Sequence, residues 1–156
     1  MNDLRRKFLK RAGAGWVATV ASTMVLFGPL KAFAADWNKA AFDAKSSDEL
    51  LKVLGYGTAT ESKDILIKAP EIAENGAVVP IEITSKIPGT QSITLLVDKN
   101  PSPMVGEFSI AGGAEPYVST RIKMGESSPV RVFVKAGGQL YKAARVVKVT
   151  IGGCGG

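Results

Sequence analysis

Histidine is absent from this 156-residue chain, and cysteine occurs once. Without histidine there is no Ser-His-Asp triad, no Cys-His pair and no imidazole metal ligand. One cysteine allows no internal disulfide, no Cys-x-x-Cys redox pair and no cysteine zinc site, so any metal would have to be held by carboxylates and carbonyls. Aromatic residues make up only 7% of the chain, and Tyr56, Tyr117 and Tyr141 show no spacing suited to stacking. Basic charge is scarce outside the N-terminus. Of the 20 Lys+Arg, six lie in residues 1–34 against Asp3 alone, leaving 14 to face 13 of the 14 Asp+Glu in the remaining 122 residues. The net charge of +6 therefore belongs to the N-terminal segment, and the body lacks the clustered cations of a nucleic-acid-binding surface. With 46% hydrophobic and 22% charged residues, the composition is that of one folded domain, neither a disordered chain nor a polytopic membrane protein.

A basic stretch, Met1 to Arg11, precedes an uncharged run from Ala12 to Leu30. Ala32-Phe33-Ala34 then places small residues at the two positions a signal peptidase reads. The run carries Gly13, Gly15, Thr19, Ser22, Thr23, Gly28 and Pro29, which dilute it below the roughly 18 consecutive apolar residues of a spanning helix. Arg5-Arg6-Lys7-Phe8-Leu9-Lys10 resembles the twin-arginine signature of bacterial export signals. That resemblance makes residues 1–34 an export signal cleaved after about Ala34. The mature form would then fold before export, carry no membrane span and reside in the periplasm, an oxidising compartment in which a lone thiol is conspicuous.

Residues 35–60 read as a helical segment. From Asp36 to Leu54, Trp37, Ala40, Ala41 and Ala44 recur at helical spacing, and Ser46-Ser47-Asp48-Glu49 is a candidate capping box before Leu50 to Leu54. Gly55 and Gly57 end it. Trp37, Phe42, Leu50, Leu51 and Leu54 are the side chains expected to pack on the domain.

Over residues 61–151 the period changes to two. Ile65 and Ile67 alternate; Asn75-Gly76 marks a turn; Val79, Ile81 and Ile83 share a face, with Pro80 implying an edge strand or a bulge. Pro88-Gly89, Asn100-Pro101-Ser102-Pro103, Gly112-Gly113, Ser128-Pro129 and Gly137-Gly138 punctuate further runs. These runs are Ile93 to Val97, Phe108 and Ile110, Val118 to Met124, Val130 to Val134, and Val147 to Ile151. About seven short, evenly spaced strands predict a mainly β chain, an immunoglobulin-like β-sandwich without a cysteine pair across its sheets.

The chain closes on Ile151-Gly152-Gly153-Cys154-Gly155-Gly156. Nothing bulky flanks the only cysteine, and glycine loses more conformational freedom on ordering than any other residue, so residues 152–156 read as a mobile, thin arm. Such an arm suits delivery of a thiol into another protein's narrow cleft. Ordering it there costs about 1–2 kcal/mol per residue, which keeps docking weak and release fast. No Lys or Arg follows Lys148, and the C-terminal carboxylate two residues on disfavours a thiolate, so Cys154 has no means of activating itself.

Gly152-Gly153-Cys154-Gly155-Gly156 resembles the C-terminus of the SoxY family, the sulfur-carrier subunits of the periplasmic thiosulfate-oxidising Sox system. Pro70-Glu71-Ile72-Ala73-Glu74-Asn75-Gly76-Ala77-Val78-Val79-Pro80 is similar to the family's early strand and turn. Lys99-Asn100-Pro101-Ser102-Pro103 is similar to its central loop, and Ser119-Thr120-Arg121-Ile122-Lys123-Met124 to a later strand. The resemblance implies a protein that bears substrate without being a catalyst and needs no cofactor. Cys154 would be the attachment residue, and Gly152, Gly153, Gly155 and Gly156 the swinging arm. It also implies partners: a haem sulfur-transferase that couples thiosulfate oxidatively to the cysteine as an S-thiosulfonate, and a metal-dependent hydrolase that releases sulfate and leaves a persulfide. A sulfane dehydrogenase that oxidises the remaining sulfur and a SoxZ-like β-sandwich subunit forming a heterodimer complete the set.

Other readings fit less well. A terminal Gly-Gly also resembles ubiquitin-like carriers that bear sulfur on a thiocarboxylate. That chemistry needs ATP, which an exported protein lacks, and the strand pattern shows no β-grasp helix. An exported interaction protein whose terminal cysteine forms an intermolecular disulfide is the main alternative. Prenylation fails because Cys154 is third from the end and Gly155-Gly156 are not aliphatic. Asp98, Glu107, Glu115 and Glu126 are spaced as ordinary strand and turn charges, Arg121 and Lys123 as a solvated strand face, and Met104 and Met124 as core or edge fillers.

Overall fold

Alternating apolar residues give a strand one face to bury, and a capping side chain followed by a left-handed glycine bounds a helix. Both devices organise the computed structural model, which describes residues 38–150. Its elements are α1 (Lys39–Asp43), α2 (Ser47–Leu54), β1 (Thr60–Glu61), β2 (Ile65–Lys68), β3 (Ile72–Ala73), β4 (Val79–Ser85), β5 (Thr90–Val97), β6 (Met104–Ser109), β7 (Tyr117–Ile122), β8 (Ser128–Ala136) and β9 (Gln139–Val149). Seven longer strands match the expected alternating runs; β1 and β3 are two-residue additions.

The helical stretch is two helices, not one. Asn38 caps α1 by accepting from the Ala41 N–H at 3.1 Å. Ser46 caps α2 by accepting from the Glu49 N–H at 3.2 Å, and the Glu49 carboxylate reaches back to the Lys45 N–H at 2.9 Å. This capping box requires an extended backbone before α2. Ser46 provides it at φ −141° and ψ 156°, and Ala44, at φ −56° and ψ 134°, has already left the helical conformation, which ends α1. Gly55 ends α2 at φ 70°. Leu50 is fully buried, with Phe42, Leu51 and Leu54 packed around it; Trp37 lies outside the described residues.

The strands form two sheets. The larger runs β1-β9-β8-β5-β6, with β3 pairing the end of β9; the smaller runs β2-β4-β7. Neighbours are antiparallel, except that β1 and β3 run parallel to β9. Between the sheets lies an aliphatic core of Ile81, Ile83, Ile93, Leu95, Val97, Val130, Val132, Val134 and Val147, all at 0% exposure. Burying each such side chain contributes about 1.5–3 kcal/mol relative to leaving it in water. The other face of the larger sheet is also covered, Leu96, Met104 and Phe133 packing against Ala41, Ala44, Leu50 and Tyr56. The molecule is thus mainly β, an immunoglobulin-like sandwich with a short helical layer on its larger sheet.

Two expectations need correction. Pro80 does not mark an edge strand, because β4 is the middle strand of its sheet. The proline is accommodated because β2 ends early. Its last pair is Lys68 with Glu82, so at Pro80 the strand is paired only with β7, through Arg121. The bulges fall instead in β5, between Leu95 and Leu96 and between Thr90 and Ser92. The final strand also begins earlier than its Val147 to Ile151 signal suggests. It leaves a two-residue turn at Gly137-Gly138, both with positive φ (56° and 77°), and runs 11 residues from Gln139. Ile151 lies outside the described residues.

Candidate functional site: the end of the last strand

Cys154 and the glycines Gly152, Gly153, Gly155 and Gly156 lie outside the described residues. The structure shows the platform from which they issue. Strand β8 pairs with β9 as far as Ser128 opposite Val147, so β9 outruns it. Beyond that point β3 takes over in parallel, Ile72 opposite Lys148 and Ala73 opposite Val149. The Lys148 N–H donates to the Glu71 carbonyl at 2.9 Å and the Thr150 N–H to the Ala73 carbonyl at 3.2 Å. The Val149 N–H donates to the Ser127 hydroxyl at 2.9 Å, and that hydroxyl lies 3.4 Å from the Val149 carbonyl, to which it donates.

The Asn75-Gly76 turn closes the platform. Asn75 Oδ1 accepts from the Ala77 N–H at 2.9 Å, and the Met124 N–H donates to the Gly76 carbonyl at 2.7 Å. A Cβ on Gly76 would stand 2.4 Å from the Met124 carbonyl oxygen and 2.9 Å from Val149 Cγ1, so only glycine fits without displacing backbone. From the opposite side Asn100 pins the β7–β8 loop, donating to the Lys123 carbonyl at 2.7 Å and accepting from the Gly125 N–H at 3.2 Å. The three separate segments that resemble the SoxY family, around Gly76, Asn100 and Met124, thus meet at the end of β9.

Charge and exposure at this end are mixed. Glu71, Glu74 and Lys148 are exposed and enter no ion pair among the described residues, while Lys99 and Glu126 pair at 3.4 Å. Ile72 (57% exposed), Val78 (50%) and Val146 (60%) put apolar side chains in solvent near the last turn of the strand.

The remaining sequence candidates scatter. Asp98 forms an ion pair with Arg131 at 2.8 Å and accepts from the Ser47 hydroxyl at 2.9 Å, tying α2 to the sheet. Glu107 faces Lys135 at 3.9 Å, Glu115 is exposed, and Arg121 and Lys123 lie on the solvent side of β7 and just past it. Met124 is in the sandwich core and Met104 beneath the helices. Tyr56 is buried, its hydroxyl 3.0 Å from Thr94 Oγ1, whereas Tyr117 and Tyr141 lie apart from it on β7 and β9. Among the described residues no three carboxylates converge in a metal-holding group, and no helix is long and apolar enough to cross a membrane.

A groove of about 700 Å³ opens on the helix side of the larger sheet, lined by residues that include Tyr56, Ala59, Glu61, Arg131, Phe133 and Lys142 and reaching Ala144 on β9. Six residues of strand from Ala144 to Thr150 span about 20 Å. Four residues of extended chain from Thr150 bring the Cys154 Cα at most about 14 Å. From Thr150 the groove thus begins further back along β9 than four extended residues span.

Sequence reasoning found the Asn75-Gly76 turn. It missed Ser127, which carries no signal as an exposed serine until the register of β9 is known.

The fold is a two-sheet β-sandwich whose last strand is hydrogen-bonded as far as Thr150, the last described residue, and the sequence places a glycine-flanked cysteine four residues further on. The family model described as sulfur oxidation protein SoxY matches residues 51–154, more than half of the chain and ending at the cysteine; the chain belongs to the SoxY family. Among solved structures it is similar to the sulfur carrier protein SoxY from Chlorobium limicola f thiosulfatophilum. The two share 45% identity over 64% of this chain and 93% of that one, with a TM-score of 0.57. A superoxide reductase (Neelaredoxin) from Ignicoccus hospitalis aligns at 17% identity over 62% of this chain and 86% of that one, with a TM-score of 0.50, a likeness of fold alone. A search of curated proteins gives no match.

Proposed function

We propose that the protein is a non-catalytic sulfur carrier in thiosulfate oxidation, bearing thiosulfate-derived intermediates on Cys154 and presenting them to partner enzymes. The observation that carries this reading is the glycine-flanked cysteine four residues beyond Thr150, which among the described residues is the last hydrogen-bonded to the platform. Membership of the SoxY family and the similarity to a SoxY sulfur carrier support it.

In the loading step the cysteine S–H is lost and an S–S bond forms to the outer sulfur of thiosulfate. The reaction releases one proton and two electrons, and the electrons pass to a haem-containing sulfur-transferase. A sulfate-releasing hydrolase then adds water across the bond to the sulfone sulfur, yielding sulfate and a persulfide on Cys154. A sulfane dehydrogenase oxidises the outer persulfide sulfur to the sulfonate level, three waters supplying oxygen, seven protons being released and six electrons passing to an electron acceptor; the hydrolase then releases that sulfur as sulfate and returns the thiol. The chain contributes the thiol, its reach and its accessibility; with no histidine anywhere and no Lys or Arg after Lys148, the acid–base and redox chemistry falls to the partners. The working form is a heterodimer with a SoxZ-like β-sandwich subunit. Residues 1–34 act as a twin-arginine signal removed after about Ala34, which delivers residues 35–156 to the periplasm.

The test is the mass of the mature protein purified from cells supplied with thiosulfate. Thiosulfonate and persulfide adducts are expected on Cys154, and Cys154→Ser should abolish both the adducts and thiosulfate oxidation. A thiol unmodified throughout turnover, or found only in an intermolecular disulfide, overturns the carrier reading.

A further inference from the structure

We propose that Ser127 is a positioning residue that fixes the length of the thiol arm by clamping the last residues of β9; the inference rests on the carrier reading above. The backbone ladder from β8 ends at Ser128 opposite Val147, which leaves Lys148, Val149 and Thr150 without β8 partners. Their amides alternate between two sides. Lys148 and Thr150 donate to β3 and its approach, at the Glu71 and Ala73 carbonyls. Val149 faces the other way, where the strand has run out. There the Ser127 side chain stands in for a strand residue, accepting from the Val149 N–H at 2.9 Å and donating to the Val149 carbonyl at 3.4 Å. One hydroxyl thus extends the sheet past the end of β8. Opposite it, β3 has only two residues and is no strong holdfast by itself.

The consequence is a number. With the chain held to Thr150, Cys154 lies four residues out and reaches about 13–14 Å; when the clamp and the two bonds to β3 open together, the hold falls back to Val147, Cys154 is seven residues out and the reach grows to about 23–25 Å. A longer tether lowers the effective concentration of the thiol at a docked enzyme's cleft, as about the −3/2 power of length or more steeply, so this change costs at least about twofold. The added residues must also be ordered on each visit. The clamp therefore acts on delivery, not on the reactivity of the sulfur.

Two measurements on the mature carrier with its partner subunit test this. Amide hydrogen exchange should show Val149 and Thr150 exchanging about three- to tenfold faster in Ser127→Ala, and at the wild-type rate in Ser127→Thr, which keeps the hydroxyl. In thiosulfate loading by the purified haem transferase, Ser127→Ala, which leaves the two bonds to β3, should raise KM for the carrier by up to about twofold while kcat is held. Reaction of Cys154 with a small disulfide reagent should not change. Deleting Gly152 in the Ser127→Ala background should recover part of the KM, because it shortens the arm again. Unchanged exchange, or faster exchange with unchanged KM, overturns the proposal. If the wild-type carrier is not loaded at Cys154 at all, the carrier reading falls and the delivery role with it, whereas the exchange result still decides whether Ser127 holds the strand.

Discussion

Gly76 and Val149 approach so closely that a Cβ on the glycine would sit 2.9 Å from Val149 Cγ1, and 2.4 Å from the Met124 carbonyl oxygen. The valine methyl can rotate away, but the carbonyl belongs to backbone held by the Met124 N–H to Gly76 carbonyl bond at 2.7 Å. Gly76→Ala should therefore lower stability by about 1–3 kcal/mol, the usual cost of overpacking. Chemical denaturation would read this as a shifted midpoint with little change in slope. An alanine variant as stable as the parent would show that the turn can move aside.

Asp98 joins the helical layer to the larger sheet. Its carboxylate receives Arg131 at 2.8 Å and the Ser47 hydroxyl at 2.9 Å, with 14% of its side chain exposed. Arg131 is 38% exposed, so water takes over part of its charge when the partner is removed. Asp98→Ala is expected to cost about 1–2 kcal/mol. Asp98→Asn, which can still accept from Ser47, should cost less. Equal losses in the two variants would mean that charge, not the hydrogen bond to α2, is what counts.

Beneath the helices, Tyr56 and Thr94 share a buried hydrogen bond of 3.0 Å, and the Tyr56 ring lies 5.2 Å from that of Phe133. Tyr56→Phe keeps the ring but strands the threonine hydroxyl, costing about 1–3 kcal/mol. Removing both partners with Tyr56→Phe and Thr94→Val should be less damaging than the two single losses added together. A double-mutant cycle in thermal unfolding measures the coupling, and strict additivity would show that the hydroxyls do not depend on each other.

Much of this architecture is legible in two-residue alternation. Val79, Ile81 and Ile83 on β4, and Val130, Val132 and Val134 on β8, declare a buried face directly. The pattern fails where both faces are covered: β5 is buried at every position from Ser92 to Val97, so Leu96 and Thr94 belong to the helical layer, not to the sandwich. It also fails along the first half of β9, where Lys142, Ala143, Ala144 and Arg145 offer no apolar contrast and pairing with β8 sets the strand. The two-residue β1 and β3 have no period to read and exist through their bonds to β9. The same division holds at the site. The cysteine and its glycines stand out by type, whereas Ser127 and the close approach of Gly76 to Val149 arise only when distant segments meet.

Cys154 should behave in the free carrier as an ordinary thiol. Activated cysteines owe their low pKa to a helix N-terminus, an imidazolium or a nearby lysine or arginine. Here the chain holds no histidine, and no basic residue follows Lys148. Near the platform exposed Lys148 and Lys123 are balanced by exposed Glu71 and Glu74, and Lys99 is paired with Glu126; the Glu74 carbonyl lies 3.5 Å from the Thr150 hydroxyl. These charges give the thiolate no net attraction within the arm's reach of about 14 Å. Alkylation of Cys154 in the mature protein should accordingly keep accelerating as pH rises past neutrality, because only the thiolate reacts. Neutralising both carboxylates as Glu71→Gln and Glu74→Gln should shift that profile modestly toward acid, by removing negative charge from its surroundings. An alkylation rate already level in mildly acidic solution would mean that the carrier activates its own sulfur, and the division of labour between carrier and enzymes would have to be redrawn.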